Sequence, residues 1–91
     1  MSPVEIAVEV AGWAGAALIL LAYVLLSTRK LTGESAAFHW INLAGAIGFI
    51  INGWWHGAIP NAAMNVVWAL VAIYSLIRLS RLRAREPATR E

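Results

Sequence analysis

The sequence predicts an all-α integral membrane protein, a single-domain bundle of three transmembrane helices. Three observations carry that reading. Ser35 to Ile77 contains no Asp, Glu, Lys or Arg, and Val10 to Thr28 is equally free of charge. A bilayer core about 30 Å thick takes roughly 20 apolar helical residues to cross, so the longer run accommodates two crossings. Within it, His56-Gly57-Ala58-Ile59-Pro60-Asn61 supplies the break, because Gly and Pro punctuate helices. Composition agrees: 60% of the 91 residues are hydrophobic, against roughly 45 to 50% in soluble domains.

The first helix is expected over about residues 6–27. Ser2-Pro3-Val4-Glu5 before it has the form of a capping box, with Ser at the N-cap, Pro at the first helical position and Glu placed to reach back. Glu5 and Glu9 stand where a signal peptide would have basic residues, so the segment is read as a retained helix. Carboxylates also suit a helix N-terminus through its dipole. The second helix is expected over about 35–56. The third is expected over about 60–79, opened by Pro60, whose missing N–H needs no partner in a first helical turn. A basic tail, 80–91, follows, and Glu86 to Glu91 is expected to fray.

Charge then orients the bundle. All seven Lys and Arg residues lie either between the first two helices, at Arg29 and Lys30, or after the third, at Arg78, Arg81, Arg83, Arg85 and Arg90. With three crossings these segments share one side, and the positive-inside bias predicts N-out, C-in topology in a bacterial cytoplasmic membrane. Arg78, Arg81, Arg83 and Arg85 are expected to anchor the end of the third helix by snorkelling and to fix topology; the alternative is that they bind anionic lipid headgroups. A net charge of +2 concentrated in one membrane-proximal tail excludes nucleic acid as a partner.

Each helix carries a stripe of small and polar residues. Gly12, Ala16, Ile19, Tyr23 and Ser27 share one face of the first, and Asn42, Ala46, Phe49, Gly53 and His56 one face of the second, with Gly45 and Asn52 at its edge. The third sets Asn61, Asn65, Trp68, Ala72 and Ser75 together and leaves Val66, Leu70, Ile73 and Ile77 to face lipid or packed neighbours. Small residues let membrane helices approach closely, so Gly12, Ala16, Ala46 and Gly53 are expected to drive self-association. Amide side chains in hydrocarbon need partners. Asn42, Asn52 and Asn65 therefore serve either as interhelical hydrogen-bonding groups or as the polar walls of a solute pocket.

His39 and His56, near the two ends of the second helix, are expected to meet interfacial water. Cysteine is absent, and no metal-ligand set, nucleophile triad or acid–base pair is legible, so neither an enzyme nor a metal or organic cofactor is expected.

The strings Gly12-Trp13-Ala14-Gly15-Ala16, Ala22-Tyr23-Val24-Leu25-Leu26-Ser27 and Asn42-Leu43-Ala44-Gly45-Ala46, with Pro60 followed by Asn65 and Trp68, resemble a family of small, uncharacterised three-helix bacterial membrane proteins. The resemblance covers about Ala11 to Leu79. More distantly, the chain is similar to the SemiSWEETs, three-helix sugar transporters of the MtN3 and PQ-loop superfamily. Those carry a Pro at the turn into their third helix and, five residues later, an Asn at the sugar site. Pro60 and Asn65 match that spacing. A pocket Trp on the second helix would correspond to Trp54, Trp55 or Phe49. Leu25-Leu26 stands where the SemiSWEETs have their Pro-Gln hinge.

The resemblance implies a homodimeric facilitator of a small uncharged solute. Asn65 would be the principal ligand, Trp68, Asn42 and Asn52 pocket walls, and Gly53, Gly57 and Pro60 flexible elements. The missing Pro-Gln pair favours a rival reading, a non-transporting accessory or assembly subunit of a larger membrane complex.

Overall fold

The structure, a computed structural model, describes residues 1–85. The end of the basic tail, Arg90 included, lies outside the described residues. All regular structure among those described is helical: α1 (Pro3–Ser27), α2 (Ala36–Trp55) and α3 (Ile59–Arg85), each long and apolar enough to cross a membrane.

Local chemistry sets where each helix starts and stops. Ser2 and Glu5 form the expected capping box: the Ser2 amide donates to Glu5 Oε1 at 2.8 Å and the Glu5 amide to Ser2 Oγ at 3.1 Å. At the other end of α1 the Arg29 amide donates to the Leu26 carbonyl at 3.1 Å and the Lys30 amide to the Leu25 carbonyl at 2.9 Å. This is a Schellman motif, and its left-handed position is filled by Arg29 at φ 63° rather than by glycine. The same motif ends α2, where Gly57 at φ 71° takes that position and the Ala58 amide reaches the Gly53 carbonyl at 2.8 Å. Gly57 is thus a helix stop, and three residues separate α2 from α3.

α3 continues past the expected end at Leu79, as far as Arg85. The reason is local: Ser80-Arg81-Leu82-Arg83-Ala84-Arg85 contains no breaker, and the next proline is Pro87. Glu34, in the loop before α2, reaches Arg78 at 3.9 Å, which places that loop beside the basic end of α3.

Packing follows a simple order. α1 and α3 both pack on α2 and their backbones do not approach each other, so α2 is the middle element. The core is built from small residues; Ala22, Ala46 and Ala72 are the most buried, and no large side chain is fully buried among the described residues. Between α1 and α2 the backbones nearly touch. A Cβ on Gly15 would lie 2.7 Å from the Gly45 carbonyl oxygen, and one on Gly48 would collide with the Ala11 carbonyl. Gly12 leaves room for Asn52, whose Nδ2 donates to the Val8 carbonyl at 3.0 Å across the two helices.

On the other flank, Ala62, Ala69, Ala72 and Leu79 form the buried stripe of α3. Gly53 packs against its first turn, where a Cβ would stand 3.0 Å from Asn61 Nδ2. Gly12, Ala46 and Gly53 therefore make contacts inside the chain. Gly12 is filled by the Asn52 side chain and Gly53 by the first turn of α3. Val66, Leu70, Ile73 and Ile77 are exposed, as expected for a lipid-facing surface.

Candidate functional site

Because α1 and α3 stand apart on α2, a groove opens between them, and the striped faces of α1 and α2 run along it. Two cavities lie on those faces. The inner one, near the basic end, encloses about 420 Å³ and is walled by all three helices: Tyr23 and Leu26 of α1, Phe38, His39 and Asn42 of α2, and Trp68 of α3. The outer one, about 300 Å³, is walled by Glu9, Gly12, Trp13 and Ala16 of α1 and by Phe49 and Asn52 of α2.

The polar groups of the inner cavity are fixed by local geometry. Asn42 is 7% exposed. Its Nδ2 donates to the Phe38 carbonyl one turn earlier at 2.9 Å, and its Oδ1 faces Trp68 Nε1 at 3.4 Å. The first bond is of ordinary length. The second is long for an N–H···O contact. His39 Nε2 lies 2.7 Å from the Gly33 carbonyl, which as an acceptor defines that nitrogen as the donor. The remaining walls are apolar.

The sequence-expected residues separate into groups. Asn42 and Trp68 meet on the inner cavity, while Asn52 stands on the outer one with its amide donor committed to the Val8 carbonyl. Phe49, rather than Trp54 or Trp55, lines a cavity; both Trp side chains are exposed near the end of α2. Asn65 is half-buried, lines neither cavity, and donates to the Asn61 carbonyl at 2.9 Å and to Asn61 Oδ1 at 3.1 Å. Pro60 lies in the first turn of α3, Gly53 inside α2, and Gly57 at the stop of α2.

Both histidines also have a partner within the chain. His56 Nε2 lies 2.9 Å from Glu9 Oε2, tying α2 to α1 at the end opposite the arginines. His39 turns back onto the loop and joins the cavity wall. Phe38 and His39 were not marked as site residues, although their spacing of four and three residues from Asn42 places all three over one turn.

A small three-helix membrane protein with its second helix in the middle is the class that this fold and groove define. The chain belongs to an uncharacterised protein family, whose model matches residues 8–84. No curated protein and no solved structure matches it. None of these comparisons supports the likeness to SemiSWEETs.

Proposed function

We propose that this membrane protein is a facilitator for a small uncharged solute, with the inner cavity as the binding site. One observation carries the reading: Tyr23, Asn42 and Trp68, drawn from the three helices, converge on one cavity of about 420 Å³. Small-molecule sites are typically about 300 to 1,000 Å³, mostly apolar, with a few placed polar groups. No Asp, Glu, Lys or Arg lines this cavity, so a neutral guest with one donor and one acceptor suits it.

The outer cavity continues the same groove and supplies the other half of a path. A single protomer leaves the groove open along one side. A second copy, apposed groove to groove, would close the path on a two-fold axis. N-out, C-in topology would set the inner cavity on the cytoplasmic side.

The test is uptake of a sugar, polyol and amide panel into proteoliposomes. Asn42→Ala and Trp68→Phe should each lower uptake of the accepted solute at least tenfold while the protein stays helical. A bound solute at about 100 times Kd should stabilise the wild type by roughly 2.7 kcal/mol. Asn65→Ala separates this cavity from one placed by the Pro60 spacing: uptake should survive it.

A second reading has its own observation. The amide donors of Asn42 and Asn52 are both engaged within the chain, as in a purely structural scaffold whose groove receives a helix of a larger complex. In mild detergent that accessory subunit would copurify with a stoichiometric foreign subunit, and no solute of the panel would shift its unfolding.

A further inference from the structure

The face of α2 and α3 turned away from the groove carries a second feature. Near the basic end, Trp40 and Leu43 of α2 and Ile73 and Ile77 of α3 wall a cleft of about 430 Å³, capped by Ser80 and Arg81. A smaller cleft of about 270 Å³ shares Trp40 and Ser80 with it and brings in Arg83.

The order of side chains along this surface is graded. Ile73, Ile77 and Arg81 follow one another at four-residue spacing, so the cleft passes from apolar side chains to a cation in about 12 Å along the helix. Trp40 is 60% exposed and stands between the two regions, the level at which an indole prefers a membrane interface. Among the described residues Arg81 and Arg83 have no carboxylate partner, whereas Arg78 has Glu34.

We propose that this cleft is a binding site for one anionic phospholipid. An acyl chain lies along Leu43, Ile73 and Ile77, and the headgroup phosphate meets Arg81, Arg83 and the Ser80 hydroxyl. Charge complementarity selects the occupant. Two arginines with no carboxylate partner among the described residues stand above an apolar trough, and an anionic lipid matches both halves, whereas a zwitterionic lipid or a soluble anion matches one. The planar guanidinium groups suit phosphate oxygens in paired hydrogen bonds. The site lies on the opposite flank of α3 from Trp68 and is independent of solute transport.

The experiment is native mass spectrometry of the full, delipidated chain titrated with phosphatidylglycerol or phosphatidylcholine. Phosphatidylglycerol should be retained preferentially as a single bound lipid. Arg81→Gln with Arg83→Gln should weaken its retention about 25-fold, taking roughly fivefold for each arginine, and leave phosphatidylcholine unchanged. The charge-keeping pair Arg81→Lys and Arg83→Lys should preserve most of the preference, which separates charge from misfolding. Arg29→Gln with Lys30→Gln removes the same charge from the same end of the bundle and should have little effect. An equal loss in that control would overturn the site in favour of diffuse attraction. Glycerol phosphate competing as strongly as the lipid would overturn it as well, since the trough would then contribute nothing.

Discussion

Arg29 and Gly57 occupy the same position in two copies of one motif, and they make a clean comparison. Each residue ends a helix in the left-handed region, at φ 63° and 71°, where an L side chain costs about 1 to 2 kcal/mol and glycine almost none. Arg29→Gly should therefore raise stability by about 1 kcal/mol, and Gly57→Ala should lower it by about the same. Unfolding titrations in mild detergent would measure both. A neutral result at Gly57 would show that the α2 stop is set by Pro60 instead.

Residue-scale polar chemistry divides in the same way into readable and unreadable parts. The Ser2 and Glu5 cap was legible because its partners are three residues apart. The acceptor for Asn52 was not, because Val8 lies on another helix and its carbonyl becomes reachable only where Gly12 removes a side chain.

Among the helices, α2 is under the tightest constraint, since it must present one surface to α1 and another to α3. Gly45 and Gly48 serve the first, Gly53 the second, and Ala46, 0% exposed, lies buried among them. In a bilayer there is no hydrophobic drive between helices, so close packing and interhelical hydrogen bonds hold the elements together. Gly15→Leu should cost at least about 1 to 3 kcal/mol, the usual range for overpacking, because the obstruction is the Gly45 backbone and cannot rotate aside. Gly33→Ala, whose Cβ would meet nothing within 4 Å, should leave stability unchanged. An SDS unfolding series on both variants decides the matter; equal midpoints would mean that α1 does not dock on α2 through this face.

The helix spans themselves were largely readable, to within a few residues for α1 and α2. α3 exceeded its expected span because the edge of the hydrocarbon core ends an apolar run without ending a helix.

For the whole molecule, orientation is the property most directly open to test. Reporter tags at both termini should place the N-terminus outside and the C-terminus in the cytoplasm. Replacing Arg29 and Lys30 with Ala while adding two Lys near Pro3 should weaken or invert that orientation, because Lys and Arg bias governs it. A cytoplasmic N-terminal tag on the wild type would reverse the assignment and move the inner cavity to the other side.

By itself the sequence determined three apolar helices, the breaks between them, the cap on the first and the gathering of positive charge at one end. Each depends on local order: run length against bilayer thickness, spacing within one or two turns, and residue types that break or cap a helix. Only the tertiary structure decided that α2 lies between α1 and α3, that the glycines join helices within one chain, and that Asn42 and Trp68 share a cavity while Asn65 stands apart. Small-residue stripes are present on all three helices and are compatible with more than one pairing, so periodicity cannot choose among them. The choice falls to which backbones can approach closely at their glycines while each buried amide keeps a partner, a condition on three helices at once.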